Sequence, residues 1–227
     1  MSQVPSPDTF IAELWRYAEE VPMEQHPWFH DILKHRLRPE QIILGELQLY
    51  LRARTNPIHL SYILINAVTE RRYDLIGVVL ANFQEELGGP KTHVDIMLQM
   101  PEAGRITREE ADLTEHAPGT LAAIETINGC CQHRLALEGL AMLSLVEAQH
   151  AVVAAKVYRE LTDYYGFSEH AAETYHVHGE QDVEHGARQL AVIRACATDA
   201  DTQEQVRRAV KLGLPPTPWS RMGMSRR

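Results

Sequence analysis

Hydrophobic and polar positions along this chain repeat at helical spacing, and no convincing run alternates at period two, so the pattern predicts an all-α protein. A first helix is expected from Pro7, behind Ser6 and with Asp8 in its first turn, to about Glu20, where Val21-Pro22 stops it. A short helix over Trp28–His35 follows His26-Pro27. Pro39 opens a longer one through Gln48 to Arg54, which Asn56-Pro57 breaks. Pro57 starts the next, through Leu60, Ile63 and Val68, and Tyr73–Leu87 makes another that ends at Gly88-Gly89-Pro90. Beyond it lie His93–Met100, stopped at Pro101, then Thr107 to about His116 and Leu121 to about Ile127. The longest stretch runs from about Arg134 to Tyr165. Ser168 is expected to cap a helix through His185 to about Cys196, and Thr202–Leu212 closes the series. No repeat or low-complexity linker divides the chain. A single domain over 1–227 is expected, with its core at roughly 7–212 and an irregular tail at 213–227.

Charge narrows the function. With 22 basic against 31 acidic residues, the net charge of −9 disfavours nucleic acid and anionic membranes as partners, since both need a basic face. No apolar run reaches the ~20 residues that span a bilayer, and the first ten residues do not read as a signal peptide. Three cysteines, two of them neighbours (Cys130, Cys131), make no disulfide scaffold, so a reduced, cytoplasmic protein is expected. Twelve histidines are the compositional oddity, and their placement is what matters.

Carboxylates sit where a core should be. On a helical wheel Leu75, Ile76, Val79, Leu80, Phe83 and Leu87 form an apolar stripe, with Glu86 inside it toward one edge and Glu85 turned off it, nearer Asn82 and Val78. Glu86 either escapes to solvent or a nearby arginine, or belongs to a site. Ala136, Leu140, Leu143, Glu147, Ala151 and Ala154 share a face of the long helix, so mid-helix Glu147 is either a site residue or half of a buried pair; Glu138 lies on a different apolar face. His178, Asp182 and His185, spaced i, i+4, i+7, stack on one helical face that is either a solvated stripe or a ligand set. His93 opens the helix after the Gly-Gly-Pro break. Together Glu86, His93, Glu147, His178, Asp182 and His185 make three carboxylates and three histidines, a set that suits two metal ions between facing helices.

The order Glu86, six residues, His93, a distant Glu147, then His178-x-x-x-Asp182-x-x-His185 resembles the haem-oxygenase-like diiron oxidase and oxygenase superfamily. HPWF at 26–29, EELGG at 85–89 and AMLSLVEAQH at 141–150 are similar to the same family, over roughly residues 10–198. The resemblance implies a seven-helix up-and-down bundle of haem oxygenase topology without haem. It implies two Fe(II) per chain held by those six residues, with dioxygen as co-substrate and a peroxo intermediate. Members N-oxygenate amines, cleave C–C bonds of amino or fatty acids, or form alkenes and nitriles. One branch, the para-aminobenzoate-forming proteins first met in chlamydiae, consumes its own tyrosine; Phe29 stands at that position, which departs from the branch's pattern. The family's Glu-x-Gly fits Glu86 and Gly88.

The leading expectation is an iron-dependent oxygenase or oxidase acting on a small amino-acid-like or carboxylate metabolite, with room for an external electron donor. A cofactor-free enzyme of the thiaminase or pyrroloquinoline-quinone synthase type is the alternative. A non-enzymatic metal-binding protein is a third. Iron is not separated from manganese by these ligands, and a homodimer is the default assembly. Arg52, Arg54 and His59 lie on segments that could line a pocket, although an arginine on a helix is ordinarily solvated. Lys156 points away from Glu147, and Tyr158 toward its face; His150, Tyr175 and His176 are the neighbours placed to orient ligands.

Overall fold

The structure, a computed structural model, describes residues 4–214, without the side chains of 180–185. Among the described residues there are eleven α-helices and no strand: α1 (Pro7–Glu20), α2 (Pro27–Leu33), α3 (Pro39–Ala53), α4 (Asn56–Thr69), α5 (Tyr73–Leu87), α6 (His93–Ala103), α7 (Arg108–Leu113), α8 (Pro118–His133), α9 (Ala136–Arg159), α10 (Glu173–Cys196) and α11 (Ala200–Gly213). The all-α expectation holds, whereas the count of seven does not. Prolines at the first turns of α2, α3 and α4 cut the N-terminal half into short pieces, because each ring starts a helix and bars its continuation from before.

Local chemistry sets the ends. The Ser6 hydroxyl accepts from the Thr9 N–H at 3.2 Å and caps α1. Several boundaries differ from the periodicity. Helix α6 runs through Pro101 to Ala103, its last carbonyls at Met100 and Pro101 both meeting the Gly104 N–H. Helix α8 starts at Pro118, a residue pre-set for a first turn, and Asn66 Nδ2 closes its far end by donating to the Cys131 and Arg134 carbonyls, each at 2.9 Å. The Ser168 hydroxyl accepts from the Ala171 N–H at 3.1 Å within a turn, and α10 begins only at Glu173. Beyond α9 the chain makes one wider π turn at Glu160–Tyr164. The tail past residue 214 lies outside the described residues.

Two apolar clusters occupy opposite ends of the long helices. One gathers Phe10, Leu14, Ile63, Leu75, Val79, Leu140, Leu145, Ile193, Val206 and their neighbours. The other gathers Phe29, Ile32, Ile42, Met100, Val153, Val157, Leu161 and Tyr175. Helix α9 contributes its first half to one and its second half to the other, and α10 does the same in reverse. Between them the helices carry polar residues at one level, and that seam is where Glu147 and His178 sit. Segment 136–164 is apolar and long enough to cross a membrane, contrary to the reading of the sequence, but 67% of its most apolar window is buried inside the fold as a core helix.

Close approach is built from missing side chains. A Cβ on Gly179 or Gly186 of α10 would meet Ala155 at 3.5 Å or Ala148 at 3.4 Å, both on α9. Gly45 of α3 is tighter, because a Cβ there would fall 2.1 Å from the Trp28 ring. We therefore expect Gly45→Ala to destabilise the protein by about 1–3 kcal/mol despite its better helix propensity, through overpacking. Gly77→Ala in α5, where a Cβ meets nothing within 4 Å, should stabilise by about 0.5–1 kcal/mol. Urea midpoints of the two variants check the pair.

Candidate metal site and its buried surroundings

Glu86 and His93 are brought together by a sharp chain reversal. Gly88 ends α5, Gly89 takes a left-handed φ of 84°, and Thr92 caps α6. The cap is reciprocal: Thr92 Oγ1 accepts from the Asp95 N–H at 3.1 Å, and Asp95 Oδ2 accepts from the Thr92 N–H at 2.9 Å. His93 is thus the first helical residue, buried, with Nδ1 3.5 Å from Glu86 Oε1. The buried arc of α5 is Leu75, Val78, Val79 and Asn82, while Leu80 and Leu87 are half exposed. Glu86 therefore lies nearer the centre of the buried face than the wheel placed it. Glu85 sits at the edge and accepts two hydrogen bonds from Arg188 of α10, at 2.6 and 2.8 Å.

Helices α9 and α10, the most extensively packed pair, supply the opposite wall. The buried Gln189 amide donates to Glu147 Oε2 at 2.9 Å, and Ser144, shared between the Leu140 carbonyl and Gln189 Oε1, holds that amide. His178 Nδ1 lies 2.6 Å from the Thr174 carbonyl, so Nδ1–H donates there and Nε2 carries the lone pair that a metal needs. Its ring centre is 5.0 Å from that of His93 and 5.2 Å from that of His150. His150 in turn lies 5.9 Å from both Phe29 and Tyr175. The Tyr175 hydroxyl donates to Glu46 Oε1 at 2.6 Å inside the core, with Trp28 also near that carboxylate.

The third wall carries charge. Burial pulls the Arg52 guanidinium below its ordinary value, while attraction to Glu86 and Glu147 opposes the shift. It donates to Asn56 Oδ1 at 3.3 Å. Burial pushes the Glu86 carboxyl up, but His93, His178 and Arg52 together hold it below the usual range. His59 is fully buried, and burial followed by the Arg52 charge lowers it to about 4, so the ring is neutral.

Of the six residues singled out in the sequence, the structure brings Glu86, His93 and His178 together, and Glu147 faces the same Arg52 that faces Glu86. Asp182 and His185 lie on α10, but their side chains are outside the described residues. Among the described residues no three His, Cys, Asp or Glu side chains enclose an ion. Glu138 is a cap, accepting from the Leu135 N–H at 3.2 Å and from Arg134 at 3.1 Å. Arg52 turns inward, against the ordinary expectation for a helix arginine, while Arg54 stays outside on Asp112 at 3.0 Å. Lys156 points outward to Glu24, and Tyr158 lies against exposed His176, ring centres 5.3 Å apart and the planes tilted, instead of reaching the site. Glu46 and Gln189 went unnoticed in the sequence. Gln189 continues the spacing of His178, Asp182 and His185 by one more step of four, and that continuation was a usable signal.

The sequence pattern that defines the iron-containing redox enzymes matches residues 48–214, nearly three-quarters of the chain and all the candidate ligands. The chain belongs to that family. It is an iron-dependent oxidoreductase. The chain is 28% identical over 193 residues to the 4-aminobenzoate synthase of Chlamydia muridarum, covering 84% of this chain and 80% of that one. The fold is haem-oxygenase-like: a domain of unknown function with that fold from Shewanella denitrificans superposes with a TM-score of 0.75 at 11% identity, over 94% and 89% of the two chains. A TenA homologue from Pseudomonas syringae pv. tomato superposes at 0.68 with 14% identity, over 95% and 93%.

In this iron-dependent enzyme Glu46 should leave its own mark on the pH–stability curve. Burial raises its carboxyl to about 7, with the Tyr175 hydrogen bond and the nearby Trp28 only partly offsetting that. Below about pH 4.5 it is protonated whether folded or unfolded. As pH rises from there through about 7 the unfolded chain ionises first, so stability falls by up to about 3 kcal/mol. His26 and His59, both lowered to about 4, act in the other direction, losing stability as pH falls through the same window. The difference between wild type and Glu46→Gln isolates the carboxylate. Urea titrations from pH 4.5 to 8 should show wild-type stability falling relative to that of Glu46→Gln as pH rises, and parallel curves would refute the assignment.

Proposed function

We propose that this enzyme is a non-haem diiron oxygenase or oxidase, a single haem-oxygenase-like domain that oxidises a small amino-acid-like or carboxylate metabolite with dioxygen. N-oxygenation or oxidative C–C or C–N cleavage is the reaction class. The observation that carries this reading is the Glu86 carboxylate. It is partly buried against His93, and its Oε2, shielded from solvent, makes no hydrogen bond, a costly arrangement unless a cation uses the lone pair. The donors fit iron: nitrogen and oxygen groups converge, while Cys130 and Cys131 lie in the apolar cluster, pushed by burial to about 11 and about 12 and so unready as thiolates. Glu86, His93, Glu147, His178, Asp182 and His185 are the proposed ligands for two Fe(II).

When bound, ferrous iron supplies the binding and reduction of dioxygen. The chain's own work is positional. Thr174 fixes the His178 tautomer, Gln189 orients Glu147, and Arg52 balances the two glutamates until metal arrives. Phe29, His150 and Tyr175 form an aromatic wall that limits water. The 4-aminobenzoate synthase resemblance supports the oxidative chemistry. Phe29, however, has no phenol to consume, which favours an external substrate over self-modification, and electrons then come from that substrate or an external donor. The proposal includes a cytoplasmic protein without nucleic-acid or membrane partners, with a homodimer as its default assembly.

The second reading, a cofactor-free enzyme, draws on the shared fold with the TenA homologue alone. Anaerobic loading with Fe(II) followed by oxygen and a panel of amino and fatty acids separates them: turnover without oxygen or iron favours the second. Two irons per chain are expected in wild type and in Glu85→Gln, whose lost pair with Arg188 costs no more than about 1 kcal/mol. Glu86→Gln and His178→Ala should lose iron while keeping the helical circular dichroism. Full iron content in Glu86→Gln would remove the foundation of the proposal.

A further inference from the structure

On the wall opposite α10, polar atoms collect that nothing in the protein satisfies. His59 of α4 is fully buried, and neither ring nitrogen makes a well-formed hydrogen bond; Asn128 of α8 is the polar group beside it, and its own Oδ1 is equally unmatched. One turn before Glu86, the buried Asn82 Oδ1 is also without a partner. Each such atom costs about 1–3 kcal/mol unless a ligand or water meets it. Arg52 reaches into the same region, steadied by Asn56 and adjacent in charge to His59, Glu86 and Glu147. An apolar lining would have been the simpler way to fill a core helix contact.

Charge points the same way, on the reading that the ligands hold two ferrous ions. Three carboxylates then meet two dications, and Glu86 and Glu147 no longer serve as counter-ions for Arg52. The filled site carries an excess of positive charge in a low-dielectric interior, and only an anion restores the balance.

We propose that Arg52, with His59 and Asn56 beside it, is the seat of the substrate's carboxylate group, holding the remainder of the molecule across the seam toward Glu86 and His178. The planar guanidinium fork matches a carboxylate with two parallel hydrogen bonds, and the neutral His59 ring adds one N–H donor. A single guanidinium beside a neutral ring suits a monoanion better than a dianionic phosphate. Arg52 is a positioning residue for the substrate, and Arg54, outside on Asp112, has no such role.

The test is binding, read by calorimetry without turnover. Benzoate, hexanoate, the neutral isostere benzamide and inorganic phosphate are titrated into chelator-treated protein and into anaerobic Fe(II)-loaded protein. At least one carboxylate should bind, more tightly with iron than without, with benzamide and phosphate at least tenfold weaker. Arg52→Met should lose tenfold or more in carboxylate affinity with benzamide unaffected and iron content retained. If Arg52→Met does not fold, Arg52→Lys and His59→Phe take its place, each expected to lose about fivefold. Carboxylate binding that ignores these substitutions, or benzamide or phosphate binding as well as benzoate, overturns the proposal. Failure of iron to bind is read separately from metal content. It would strike the diiron reading, while the Arg52 dependence in the metal-free protein still decides the carboxylate seat.

Discussion

Charge buried in an otherwise apolar helical bundle is the constraint on which the rest of this structure turns. An ionised side chain inside protein is tolerated only when opposite charge and hydrogen bonds surround it. Arg52 lies against Glu86 and Glu147, Glu86 against His93, and Glu147 under the Gln189 amide. These groups come from five helices, so none is neutralised by its own element. The apolar clusters at either end of α9 and α10 fix the distance between those helices, and the polar level between them has nowhere to relax.

The seam also explains why α9 and α10 look ambiguous along their length. Each passes through two cores and one polar level, so its apolar face is interrupted in the middle where a single-core helix would be continuous. Sequence patterning caught the interruption, as Glu147 among alanines and leucines and as the histidine–aspartate triplet. Proline and glycine marked most helix ends well, because those residues act through their own backbone and need no partner. The places where periodicity failed, at Pro101, Pro118 and Ser168, are ends decided by particular polar contacts: the Gly104 N–H on the Met100 and Pro101 carbonyls, the Ala117 N–H on Gln48 Oε1 at 2.8 Å, and the Ala171 N–H on the Ser168 hydroxyl.

What the sequence missed or left open is of one kind. Glu46 is meaningful because Tyr175 comes to it from 129 residues away, and Arg52 because Glu86 and Glu147 converge on it. A helical wheel sees one helix at a time. It set Glu86 apart from Glu85, yet it counted Leu80 and Leu87 into the α5 stripe, and they are half exposed. Asn82 looked like a polar boundary and lies inside, toward the end of α5 where the inner face leaves the apolar cluster that holds Leu75, Val78 and Val79, and where Glu86 meets polar residues of α4, α6 and α10. Polarity there marks the interior.

The glycines of α10 carry a consequence for how such an enzyme can change over time. Gly179 and Gly186 let α10 lie against Ala155 and Ala148, and an alanine at either would just touch α9. Anything larger would push apart the two helices that bear Glu147 and His178. Glycine weakens a helix by about 1 kcal/mol relative to alanine, so this pair of helices holds its spacing at the expense of intrinsic helicity. Lineages descending from such a sequence can enlarge side chains freely on the outer helices. Along this one line of contact they have only the two smallest residues to draw on, and the reach between the two walls of the site is inherited almost unchanged.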